Sequence, residues 1–390
     1  MLILILSLIL HVASGERIND ALDSARVVYS LHNERTTIFI APGTYQEELT
    51  IDVPGLTLKN ASKQPSIALL NGGLDCDENA VRITWYYGHG YQYRSMGETI
   101  NYGGSRTRRW NASVLVTAPD FTAEDIIFEN SFNLYVSERE ATDSLYIIPE
   151  YTAHEMPVRP KEAGSTVVQQ KVYRERAAAL SFTETAKNAH LINCRVVGRQ
   201  DVLYGDQGAS IYWQGGILQG GVDFIFGAMT MAVENATIVA NINGEKGDHC
   251  YIAAGRSGGD QEPTAHTRGL LFYKCHIRLA NEEELQIVNR QSSNRQLVWL
   301  ARPWRPWGET VWAYTTWENG ILNPEGWHIG LIQKRPDFNP ENPCPNSYEY
   351  KSQDGSAGRQ KWVSILRKPT LPDGTQLTPK SWLSQAISQP

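Results

Sequence analysis

The chain reads as an all-β protein, a solenoid of short stacked coils, and three observations carry that reading. Most of its length is a succession of short β-prone runs, among them SVLV, DIIFEN, HLINCRVV, SIYWQGGIL, MAVENATIV and LLFYKCHIRL, punctuated by Gly, Asn or Asp. Asn193, Gly215 and Asn235 recur at intervals of twenty-odd residues, the repeat length of a stacked β-coil. Asp201 and Asp223 lie 22 residues apart, each inside an apolar or aromatic stretch. Coils of that length set one acid above the other, one strand spacing of about 4.8 Å away. A β-sandwich would show strict alternation and a hairpin turn every ~8–12 residues, and these runs are too irregular for it.

Taken in order, the first fifteen residues, MLILILSLILHVASG, form an apolar run closed by Ala13-Ser14-Gly15, the pattern of an export leader cut before Glu16. The run is too short to span a bilayer comfortably. The expectation is a leader over 1–15 and a single domain over 16–390, secreted (extracellular or periplasmic), with no membrane attachment after the leader is removed. The competing reading of this run is a buried first strand. Ile18, Ala21, Leu22 and Ala25 follow at helical spacing and predict a short helix capping the open end of the solenoid. Thr36 to Ile51 reads as strand, Pro42-Gly43 turn, strand. Two segments look inserted, Tyr86 to Trp110, rich in Tyr, Gly and Arg, and Asn133 to Arg174, with three prolines. Long loops on a solenoid project from one side and can wall a cleft, and the first has the aromatic and basic content to meet an anionic sugar polymer. A plain solvated loop is the alternative.

Composition narrows the function. Length of 390 residues suits one elongated repeat structure, and 41% hydrophobic with 20% charged residues describes a folded chain with a sizeable core. A net charge of −6 argues against nucleic acid as partner, which calls for a basic face. Five cysteines show neither clustering nor metal spacing; core packing is the expected role of Cys194 and Cys275.

The chemistry concentrates in two stretches. Burying a carboxylate is costly unless something pairs with it or exploits it, so Asp201 and Asp223 are either hydrogen-bonded structural acids or a working pair. Stacked closely, two carboxyls push their pKa values apart, leaving one charged and one able to hold a proton. In VWLARPWRPWGETVW, Arg302 has the fork geometry to grip an aspartate, while Trp304 and Trp307, flanked by prolines, are suited to stack on sugar rings or to pack.

These pieces resemble the pectin methylesterase (pectinesterase) family. The resemblance rests on GTYQE at Gly43 to Glu47, RAAAL at Arg176 to Leu180, GRQDVLY at Gly198 to Tyr204, VDFIFG at Val222 to Gly227, LARPW at Leu300 to Trp304 and SYEYKSQDGSAG from Ser347. It spans residues 17 to about 385, in order. It implies a right-handed parallel β-helix and hydrolysis of methyl esters of pectin (homogalacturonan), by a monomeric protein needing no cofactor and no metal. It further implies that Asp223 is the nucleophile and Asp201 the general acid and base. Gln200 would face the oxyanion, Arg302 would orient Asp223, and Tyr204, Phe224 and Trp304 would line the groove, with Trp307 beside them.

Three departures stand against the family pattern. Arg176 replaces the first glutamine of the oxyanion pair; a guanidinium is a competent donor there, or else a partner that holds Asp201 ionised. Ala301 replaces a glycine and Val202 a threonine. Gln169 and Gln170 are candidates for the missing amide. Besides the esterase reading, a pectate lyase on the same solenoid and a catalytically impaired relative that binds carbohydrate, or acts on another ester, stay open. The first would need a calcium-binding carboxylate cluster, which the sequence does not show.

Overall fold

A computed structural model of the chain describes residues 7–97, 111–147, 158–242, 245, 247–256, 268–286, 296–335 and 338–387. Among these, three parallel sheets of eleven, eight and seven strands run the length of the molecule, and each complete coil gives one strand to each. The coil carrying the first acid contributes Ala189–Ile192, Arg195–Val197 and Leu203–Gly205; the next contributes Ser210–Gln214, Ile217–Gly220 and Val222–Gly227. Their registers, Ala189↔Ile211, Arg195↔Ile217 and Leu203↔Ile225, are all one 22-residue step. This is a right-handed parallel β-helix, the hand that strand-to-parallel-strand crossovers adopt.

The recurrence seen in the sequence has a backbone cause. Asp125, Asn193, Gly215, Asn235, Lys274 and Tyr314 all have φ between 47° and 66° and mark the corner between the first two sheets. Their amides climb the stack: Asn193 N–H donates to Gln214 O and Gly215 N–H to Glu234 O, both at 2.8 Å. A left-handed corner favours Gly, Asn and Asp, so the pattern is visible where those residues stand and hidden where Lys274 and Tyr314 do the same work.

Inside the triangle of sheets, like residues stack on like. Phe272 and Trp312 lie parallel with centroids 3.9 Å apart. Cys194, Cys250, Cys275 and Cys344 are buried free thiols and Cys76 is half-buried, so Cys194 and Cys275 are packing residues as expected. The helix Ile18–His32 buries Ile18, Leu22 and Ala25 over the first coil. Its N-terminus is held by Glu47, whose carboxylate accepts from Ile18 N–H (2.7 Å) and Asn19 N–H (3.1 Å). The glutamate of the GTYQE segment is therefore a helix anchor. At the other end, Pro379–Ile387 is helical and inserts Trp382, whose indole donates to Gly269 O at 3.1 Å.

Part of the apolar N-terminal run is a strand in the folded chain. Ser7–Val12 is a parallel edge strand in register with Arg35–Ile40, and Ala41 N–H donates to Val12 O at 2.9 Å. An apolar run of this length serves a strand as well as an export signal, and periodicity cannot separate the two. The insertion beginning at Tyr86 is also less exposed than expected. Tyr86, Tyr87, Tyr91 and Tyr93 are buried with Phe132 and Ala177; residues 98–110 lie outside the described part.

Candidate active site

The two acids occupy the corner between the second and third sheets, on consecutive coils. Backbone bridges Arg176↔Gln200 and Gln200↔Val222 stack the three residues at this corner, and Asp201 N–H donates to Val222 O at 3.0 Å. Asp201 and Asp223 come next on their rungs, both with left-handed φ, 56° and 48°. Asp tolerates that region better than most residues, and the conformation lifts each side chain out of the strand's alternation.

Their environments separate them. Asp201 is 7% exposed, and its carboxyl is pushed up to about 8 by burial first and by the Asp223 carboxylate second, against the pulls of Arg176 and Arg302. It holds its proton at neutral pH. Asp223 is more open, and Arg302 grips it with both prongs: Nε donates to Oδ1 at 3.0 Å and Nη2 to Oδ2. Burial works against the Arg302 charge, but Asp223 outweighs it and raises the guanidinium pKa. One carboxyl can give a proton while its neighbour is presented as an oriented anion.

Gln200 is 9% exposed and stands on the same corner, one residue before Asp201. Arg176 stands one rung away from it. No ion pair within 4 Å joins Arg176 to Asp201 among the described residues, and Asp201 keeps its raised pKa in spite of the nearby guanidinium. Both observations run against the reading in which Arg176 holds Asp201 ionised. Gln169 is likewise excluded as the substitute amide: its Nε2 donates to Gly72 O (3.1 Å) and Leu134 O (3.0 Å), and its Oε1 accepts from Gln286 N–H (2.9 Å). Glu175, next to Arg176, is a buried carboxylate that the sequence reading passed over, and its charge adds to the upward push on Asp201.

An aromatic row runs beside the acids. Tyr204, Phe226 and Ala254 are register neighbours on three coils, and Trp304 completes the cluster. Ring centroids are 4.9 Å apart for Tyr204 and Phe226 and 6.0 Å for Phe226 and Trp304. The row lies three residues along the strands from the acids, about 10 Å, a reach of neighbouring sugar units. Tyr204 and Trp304 are thus both members of this row. Phe224 is not. It is 0% exposed in the central core, because the left-handed turn at Asp223 sends both Phe224 and Ile225 inward, whereas Phe226, itself 3% exposed, packs in the row with Tyr204 and Trp304. The only sequence signal for the ring that joins the row is the second phenylalanine of VDFIFG. Trp307 is half-buried beside a separate cavity of about 150 Å³ with Pro306, Ile332 and Phe338, and it is not part of the row. Packing around Gly227 is close enough to exclude a side chain: φ is +121°, and a Cβ would stand 2.2 Å from Gly205 O.

Comparisons with known proteins agree on the fold and extend it. The pectinesterase family model matches residues 164–382, more than half of the chain. Pectinesterase 31 of Arabidopsis thaliana is 28% identical over 311 residues, 80% of this chain and 72% of that protein. A probable pectinesterase/pectinesterase inhibitor of Brassica napus is 26% identical over 218 residues, 53% of this chain but 34% of that protein, so the chain spans about a third of that relative's length. Among solved structures, the pectin methylesterase from carrot superposes with a TM-score of 0.62 at 17% identity, covering 98% of this chain and 94% of that one.

Proposed function

The chain belongs to the pectinesterase family, and on that premise we propose that it hydrolyses methyl esters of pectin with the residues of the acid corner. The observation that carries the reading is the stacked acid pair in opposite states, Asp201 protonated and Asp223 gripped by Arg302. The Asp223 carboxylate attacks the ester carbonyl, and negative charge gathers on the carbonyl oxygen, where the Gln200 amide and the Arg176 guanidinium are the donors at hand. Collapse of this intermediate breaks the bond to the methoxy group. Asp201 gives its proton to the departing oxygen, and methanol leaves behind a mixed anhydride on Asp223. Asp201, now ionised, takes a proton from water; the water oxygen attacks the substrate acyl carbon, Asp223 is released as a carboxylate, and galacturonate carries the new acid. Trp304, the half-buried ring of the row, holds a flanking sugar by stacking on its apolar face, with Tyr204 and Phe226 packed beside it.

Asp223→Ala should abolish methanol release from methylated pectin, by a factor of at least about 10³, while polymer binding persists. Retention of activity in that variant would overturn the assignment. Wild-type protein that binds pectin yet releases no methanol would favour the second reading, a carbohydrate-binding relative whose oxyanion site is spoiled by Arg176. Chelator-insensitive release would set it apart from a calcium-dependent lyase. A wall polymer as substrate places the work outside the cell. Sequencing the N-terminus of mature protein decides whether chain cleavage precedes Glu16 or Ser7–Val12 is kept as an edge strand.

A further inference from the structure

The Arg302 fork needs a fixed guanidinium, and an arginine side chain carries rotamer entropy that something must remove. One face of it is covered: its Cζ lies 4.1 Å from the ring centroid of Tyr251. Tyr251 is the coil neighbour of Val222, the residue just before the nucleophile, and of Trp299, three residues before Arg302. Its ring stacks on Trp299 at 6.3 Å and meets His328 at 5.2 Å, while His328 packs edge-on to Trp299 at 5.0 Å. The stem of Arg302 is covered from another side. Gly330 has φ +61°, and a Cβ built there would stand 2.8 Å from Arg302 Cγ and 3.2 Å from Cδ. Gly330 N–H in turn donates to His328 Nδ1 at 3.0 Å, so the imidazole that braces Tyr251 also fixes the Gly330 turn. His328 is held neutral, its pKa lowered by burial and then by the charge of Arg302, so it adds no second cation behind the fork.

From this geometry we infer that Tyr251, His328 and Gly330 form a seat that fixes Arg302 against Asp223 and are positioning residues for the nucleophile. The seat touches neither substrate nor reacting atoms; it acts only by holding the guanidinium in the plane of the carboxylate. It rests on the esterase reading, and its chemistry is cation–π contact on one face and close backbone approach on the other.

The test is a double-mutant cycle in the full-length protein. Tyr251→Leu should lower kcat for methanol release about tenfold or more with KM within twofold, per folded molecule as judged by circular dichroism, and Tyr251→Phe, which keeps the ring, should restore it to within about threefold. In an Arg302→Lys background, which removes the fork, Tyr251→Leu should cost less than about twofold more, because the seat has nothing left to hold. Gly330→Ala should repeat the Tyr251→Leu pattern. Additive losses in the cycle, or no fall in Tyr251→Leu, would overturn the seat while leaving the esterase intact. Should the wild-type protein release no methanol, the esterase reading falls, and the same four proteins are compared by urea midpoint. Shifts that fail to add keep the seat as a structural coupling of Tyr251 and Arg302, and shifts that add reject it.

Discussion

Two buried carboxyls in this molecule have come to opposite states. Glu284 is 4% exposed, yet burial, which would raise its pKa, is outweighed: Arg278 donates to both its oxygens at 2.7 Å, Arg195 lies 2.9 Å away and Asn281 N–H adds a third donor, bringing it to about 2. Asp201 is about as buried and is pushed to about 8, with another carboxylate as its main neighbour and guanidiniums that pull without pairing. Around Glu284 the fold supplies a fork and an amide that keep the enclosed acid ionised. At the corner of Asp201 that compensation is withheld, and the withheld compensation is what makes a proton available at neutral pH.

Asp201→Asn breaks the comparison on the functional side and carries the largest expected effect, a loss of about 10²–10⁴-fold in methanol release, the range for removing a general acid. The same variant should not be less stable, since no buried charge is stranded. The sign of the pH dependence follows from the raised pKa. The contribution of Asp201 to stability is full below its unfolded value of 3.8 and is lost as pH rises through about 8. Melting temperature followed from pH 5 to 9 should therefore fall less steeply in Asp201→Asn than in wild type, and wild-type acylation should decline above about pH 8. A steeper fall in the variant would refute the protonated acid.

Glu284→Gln breaks the structural side. It leaves the Arg195 and Arg278 charges uncompensated, for an expected stability loss of about 3–5 kcal/mol in urea unfolding. Activity per folded molecule should stay within about twofold. Its pH dependence has the opposite sign, with stabilisation present above the unfolded value of 4.5 and lost as pH falls through about 2. The smallest effect sharpens the contrast. Arg176 pulls the Asp201 pKa down, so Arg176→Gln should move the alkaline limb of the rate profile to higher pH, with a change at the optimum of only a few-fold. An alkaline limb that stays in place would show that Arg176 does not act on the acid.

Much of this was legible in the chain, though unevenly. The 22-residue spacing of Asp201 and Asp223 placed both on stacked rungs, and LARPW supplied the arginine that meets Asp223. Phe224 is placed at the groove only by the family resemblance, which carries no information on facing, and the left-handed residue before it turns its ring into the core. Tyr251, His328 and Gly330 carried no signal, since nothing in their local sequence refers to Arg302. The run at Ser7–Val12 was ambiguous because hydrophobicity alone does not say whether strand or leader is meant.

By itself, then, the sequence determined the repeat, those corners built on Gly, Asn or Asp, and which acids stack on consecutive coils, because coil length and backbone φ preference are local properties written at regular intervals. Only the tertiary structure decided which phenylalanine packs in the core and which joins the aromatic row, which acid keeps its proton and what holds the arginine still. Those outcomes sum desolvation, charge and packing over groups tens to more than a hundred residues apart in the chain, and no periodicity encodes that sum.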